Sequence, residues 1–180
     1  MRDQFMWDAA KLVFIDETST NTAMVRLCGR APCGERVVGH APLGDRKTLT
    51  LVAALRLDEV TAPMVIEGAM NGPLFIKYVE QVLAPTLTPG DFVLMDNLPV
   101  HKVAGVEDAI KAAGAMPVYL PSYSPDLNPI EMIFSKLKTL LRKAGERTIK
   151  GLTRLIGRLI GEAFSADECA NYLRHAGYDA

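Results

Sequence analysis

Cysteine is scarce in this chain: there are three in 180 residues. Three thiols cannot build a disulfide framework, so the fold must rest on a buried apolar core. Long hydrophobic runs are missing as well. Stretches such as Leu12–Ile15 and Phe92–Met95 fall far short of the roughly 18 apolar residues that a bilayer-spanning helix needs. No basic, apolar, small-residue leader opens the chain, which makes the cytoplasm the expected compartment and a membrane partner unexpected. With only 14 Gly and 11 Pro, fibrous and low-complexity classes are excluded. No Gly-x-Ser-x-Gly elbow occurs and no cysteine adjoins a histidine in a nucleophile motif, so neither Ser nor Cys covalent catalysis is indicated. What is present, 49% hydrophobic and 23% charged residues, is the composition of one ordinary globular domain.

A net charge of -1 hides an uneven distribution. Between Met132 and Arg158 there are eight basic residues and one acid, Glu146. That segment is strongly positive while the rest of the chain is acidic, and clustering of this kind is what a nucleic-acid partner requires. A solvated helical face rich in Lys and Arg is the plainer explanation.

Lys11-Leu-Val-Phe-Ile-Asp16 reads as a central strand that ends in an aspartate, because a short continuous apolar run is expected where both sheet faces are covered. Strand-like stretches follow at Ala23–Leu27 and Thr48–Leu57, separated by a connection through Gly29, Pro32, Gly34 and Gly44, and Met64–Glu67 either extends the sheet or forms a short extra strand. Asn71 predicts an N-cap with Pro73 in the first turn and Phe75, Tyr78, Val79 and Val82 on one face. Phe92-Val-Leu-Met-Asp96 repeats the opening pattern. A helix over 102–113 stopping at Gly114 and an edge strand over 116–120 carrying Pro117 come next. Asn128-Pro129 then opens the clearest helix, with Ile130, Ile133, Phe134, Leu137, Leu140 and Leu141 at helical spacing. Two more helices are predicted, over 148–164 and from the capping box Ser165-Ala-Asp-Glu168. Strands that cluster and then alternate with helices imply a mixed α/β sheet with an antiparallel start and parallel crossovers.

Two apolar strands that both finish in Asp matter because open α/β sheets place their sites at the carboxyl ends of parallel strands. If the strands are neighbours, Asp16 and Asp96 lie side by side, and paired carboxylates need a shared proton or a divalent cation. Capping of the following turn is the alternative for each. Glu131 also has a capping alternative, since Asn128, Pro129 and Glu131 fit a capping-box-like start. Its helical face nevertheless carries Ser135, Lys138 and Arg142 rather than the apolar stripe, so one carboxylate and several cations could meet the same ligand. Cys28, Cys33 and His40 offer three zinc donors, one short of a closed structural site.

Phe14-Ile-Asp-Glu-Thr18, Asp96-Asn97 followed by His101-Lys102, and Tyr123-Ser-Pro-Asp-Leu-Asn-Pro-Ile-Glu131 together resemble the catalytic core of a DDE transposase of the mariner superfamily. More narrowly, they are similar to the bacterial insertion sequence 630 family, and 34 residues separate Asp96 from Glu131, a spacing that superfamily favours. The resemblance runs from about Leu12 to Tyr172. It implies a ribonuclease H-like fold, a mixed five-stranded sheet flanked by helices, and metal-dependent DNA cleavage and strand transfer with two Mg²⁺ or Mn²⁺ ions. Asp16, Asp96 and Glu131 would be the ligands, and Asn97, His101, Lys138 and Arg142 the contacts to DNA phosphates. Leu98-Pro99-Val100 replaces the small residues that the family usually carries before His101. About ten residues precede the first strand, too few for the family's helix-turn-helix modules, so the catalytic domain alone is expected, acting as a homodimer or with a separate N-terminal DNA-binding half. The competing reading is a non-catalytic transposase relic that serves as an interaction or regulatory domain.

Overall fold

The computed structural model describes residues 7–26, 28–40, 42–43, 46–122 and 124–178. Strand β1 (Leu12–Asn21) is followed by β2 (Thr48–Leu55), β3 (Val60–Glu67), β4 (Phe92–Met95) and β5 (Met116–Tyr119). They form one sheet in the order β3-β2-β1-β4-β5. β2 runs antiparallel to both β1 and β3, whereas β4 runs parallel to β1 and β5. The expected antiparallel start and parallel continuation are therefore present, with Pro117 on the edge strand.

Side-chain alternation along a strand sends successive residues to opposite faces. Leu12, Phe14 and Leu94 pack on one face beneath α3 (Ile130–Ala144), α4 (Ile149–Glu162) and α5 (Ala166–His175). Val13, Ile15, Val93 and Met95 pack on the other, against α1 (Gly72–Tyr78) and α2 (Val106–Ala112). All seven strand residues are buried, as expected for a sheet covered on both sides.

Several caps form as the residue types require. Asn71 accepts the Leu74 N-H at 3.0 Å, Thr148 accepts that of Gly151 at 3.0 Å, and Ser165 accepts that of Glu168 at 3.3 Å. Glu168 does not return the bond to Ser165; its carboxylate takes Lys136 and the Tyr172 hydroxyl instead.

Three boundaries differ from the sequence expectation. β1 does not stop at Asp16: Glu17 to Asn21 continue the ladder, paired with Val52 to Thr48 of β2. Thr18 and Thr20 are β-branched and suit a strand, and β2 supplies their partner. No strand forms over 23–26, where Asn21 turns the chain by accepting the Ala23 N-H at 2.9 Å; Leu27, the predicted end of that stretch, and Gly44 lie outside the described residues. The helix expected from Lys102 starts at Val106. Gly105, at φ 96°, separates it from a 3-10 turn over Pro99–Lys102, and the left-handed conformation there suits glycine.

Candidate active site

β1 and β4 pair as Leu12 with Phe92, Val13 with Val93 and Phe14 with Leu94. Continuing that register by two residues sets Asp16 level with Asp96, both turned to the face that α3 covers. β4 ends at Met95 while β1 runs on, so a cleft opens beyond the carboxyl end of β4. Its volume is about 340 Å³, and Asp16, Asp96, Asn97, Ser122, Asn128 and Glu131 are among the residues lining it.

Asp16 is the buried member. Its carboxylate accepts the Glu17 N-H on Oδ1 at 2.7 Å and the Asn128 side-chain amide on Oδ2 at 3.0 Å. Burial pushes its pKa up to about 7, the Glu17 N-H opposes that shift, and the charges of Glu131, Asp96 and Glu17 add to it. Asp96 is more open, with 37% of its side chain accessible, and its Oδ1 accepts the Leu98 N-H at 3.3 Å. Glu131 lies exposed on the first turn of α3. The helix has no side-chain cap; Asn128, expected to supply one, turns its amide to Asp16 instead. The capping-box reading of Asn128 and Glu131 is therefore not realised. Tyr123, first residue of the longest motif, lies outside the described residues.

His101 is not at the cleft surface. Its side chain is inaccessible, held between Asp96 Oδ1 at 2.5 Å from Nδ1 and Glu17 Oε2 at 2.9 Å from Nε2. The Phe75 ring lies 4.5 Å away, centroid to centroid. Burial would lower the imidazole pKa, but the hydrogen bonds to Asp96 and Glu17 outweigh it and push the value up to about 10. In this conformation the ring has no exposed edge for a phosphate. Asn97 does face the cleft, where its amide donates to Ser122 Oγ at 3.3 Å.

Lys138 and Arg142 line a different groove. They meet Ser19 and Asn21 of β1 and Arg46 along the stretch of β1 that β4 leaves uncovered. Two adjoining grooves share Arg142 and add Arg26, Lys143 and Arg147. Among the described residues, no Asp or Glu lines any of the three.

The donor set fits a hard divalent cation in its chemistry: three carboxylates on one cleft, one of them carrying a charge that burial and its neighbours disfavour. They are not gathered into one coordination sphere, and no group of three or more His, Cys, Asp or Glu among the described residues is. The exposed Glu131 side chain would have to swing inward. Cys28 and Cys33 are both exposed and belong to no such group. Sequence reasoning missed Glu17 and Asn128. Glu17 had a signal, since the neighbour of an inward strand residue points to the opposite face; Asn128 was hidden by its good fit to a cap.

A mixed five-stranded sheet with one carboxylate within β1 and another just beyond the end of β4, packed between two helical layers, defines a ribonuclease H-like domain. The profile of the DDE superfamily endonucleases matches residues 11–156. The chain belongs to that family. Among solved structures, the Mos1 strand transfer complex superposes with a TM-score of 0.74 at 16% identity, covering 93% of this chain and 52% of that one. The catalytic domain of Mos1 mariner transposase gives 0.66 at 16% identity, covering 97% and 79%. A Mos1 paired-end complex with Mg gives 0.72 at 16% identity, covering 94% and 52%. The chain thus spans about half the length of the Mos1 chains in those complexes. A comparison with curated proteins finds no significant match.

Proposed function

We propose that the chain is the catalytic domain of a transposase of the insertion sequence 630 group, cutting and joining DNA strands with divalent cations. The observation that carries this reading is that Asp16 on β1, Asp96 one residue beyond the parallel neighbour β4, and Glu131 line the same cleft. Asp16, Asp96 and Glu131 would hold Mg²⁺ or Mn²⁺, which when bound supplies an activated oxygen nucleophile and stabilises the leaving oxygen in phosphoryl transfer.

The chain's own residues do the remaining work. The Glu17 N-H and the Asn128 amide orient the Asp16 carboxylate. Asn97 and Ser122 offer an amide and a hydroxyl to a phosphate in the cleft. Lys138 and Arg142, with the arginines around them, provide a basic track for the flanking duplex. DNA is the partner, and the active assembly is a homodimer or a complex with an N-terminal DNA-binding half.

The test is nicking of a labelled terminal-repeat duplex in Mn²⁺, with and without a supplied N-terminal half, by wild type and by Asp96→Asn. Asn keeps the side-chain shape but removes the charge, so cleavage should fall by several orders of magnitude, by about 10³ or more, with folding retained. Wild-type cleavage by the Asn variant would overturn the assignment.

A further inference from the structure

We propose that Glu17 is a positioning residue of the acidic cleft, acting through His101 to hold Asp96. The inference rests on the reading of Asp96 as a metal ligand, and it concerns residues on the opposite side of the sheet from the cleft. Glu17 follows Asp16 on β1, so alternation turns its carboxylate toward α1 and α2, on the side of Ile15 and Val13. His101 sits in the 3-10 turn that begins three residues after Asp96. Its ring closes the gap between the two carboxylates, with Nε2 on Glu17 and Nδ1 on Asp96.

The Glu17 carboxylate can only accept when ionised, so Nε2 donates to it, while Nδ1 lies against both the side chain and, at 3.2 Å, the backbone carbonyl of Asp96. Nothing else in the geometry fixes the Asp96 side chain from behind. β4 has ended at Met95, and among the described residues the Asp96 side chain is held by this ring and by the Leu98 N-H, both of which use Oδ1. Oδ2 is left as the oxygen free to meet a cation. Glu17 determines whether the ring stays in place. With 17% of its side chain accessible it is nearly buried itself, and without it Nε2 would be an unsatisfied donor on an inaccessible ring. The Tyr119 hydroxyl, which donates to the His101 carbonyl at 3.3 Å, and the Phe75 ring seat the turn without replacing the Glu17 contact.

A carboxylate that orients a histidine, which in turn orients a metal ligand, typically governs metal affinity by about 10 to 100-fold. The experiment is Mn²⁺ binding to metal-free protein, measured by electron paramagnetic resonance without DNA, for wild type, Glu17→Ala, Glu17→Gln and Asp96→Asn. Glu17→Ala should weaken Mn²⁺ binding by about tenfold or more, while Glu17→Gln, whose amide oxygen still accepts from Nε2, should stay within about threefold of wild type. Equal affinity for wild type and Glu17→Ala overturns the proposal, even if the variant melts lower, because a purely structural contact would move stability alone. If Asp96→Asn binds as wild type does, the reading of the cleft fails and this inference with it. Should Glu17→Ala not fold, the wild-type proton spectrum decides: a slowly exchanging His101 Nε2-H held by Glu17 is expected, and its absence overturns the bridge.

Discussion

At the scale of single residues, Asp16 is the group whose environment departs furthest from that of an ordinary carboxylate at a strand. It is 6% exposed, with its pKa pushed up to about 7 by burial first and then by neighbouring acids. The sign of its effect on stability follows from linkage. An acid whose pKa is raised on folding stabilises the fold only while protonated there, so its penalty grows from about pH 4 to about pH 7 and is constant above. The shift sets an upper bound of about 4 kcal/mol on that penalty. In chelator at pH 8, Asp16→Asn should therefore melt several degrees above wild type, and the gap should narrow as the pH is lowered toward 4. Adding Mg²⁺ should raise the melting temperature of wild type and not of the variant, because ligand binding stabilises only the protein that binds. Calorimetry across pH, with and without Mg²⁺, checks both signs; a gap that ignores pH would show that Asp16 is not held in this strained charge state.

At the scale of elements, the strands that lead to the two aspartates are also tied together at the opposite end of the sheet. Asp91 precedes β4, is inaccessible, and takes Arg56 Nη2 at 2.6 Å from the end of β2 together with the N-H and hydroxyl of Thr88. Lys11, just before β1, approaches the same carboxylate at 3.8 Å. Three strands are thus pinned to one buried charge. Desolvation raises the Asp91 pKa, but the Arg56 and Thr88 bonds outweigh it and hold the group below the usual carboxylate range. Removing one partner of a buried pair costs about 3 kcal/mol or more, so Asp91→Ala should lower the melting temperature by roughly 10 °C. Glu107→Ala, which breaks only the exposed pair with Lys111, should change it little. The Arg56 and Lys11 contacts to Asp91 could not be read from the sequence, because they lie 35 and 80 positions away. What the sequence did carry was local: the apolar runs of β1 and β4, the caps at Asn71 and Ser165, and the stripe of α3. What it hid was set by distant partners. β1 runs past Asp16 because β2 is there to pair with it, and Asn128 leaves its capping role for a carboxylate 112 positions away. His101 looked like a loop residue because Glu17, which buries it, is 84 positions distant.

At the scale of the whole molecule, a net charge of -1 gives no reason to expect binding to a polyanion, so any such binding must come from where the charges sit. The uncovered stretch of β1 connects two unlike regions: the acidic cleft at Asp16 and, further along, the grooves lined by Lys138, Arg142 and Arg46, which have no acid among their described lining residues. A duplex whose scissile phosphate enters the cleft would lay its flank along those cations. Each phosphate contact contributes about 0.9 to the slope of log affinity against log salt for B-form DNA. Replacing both Lys138 and Arg142 by Ala should then weaken binding uniformly across sequences and flatten that slope by up to about two units. The control is Lys150→Ala with Arg154→Ala, two cations of α4 that line none of these grooves. It removes the same formal charge, so a diffuse attraction would respond equally to either pair. Fluorescence anisotropy over a salt series separates the two. A flatter slope for the α3 pair alone places the duplex along β1, whereas equal flattening, or none, would return Lys138 and Arg142 to a solvated face.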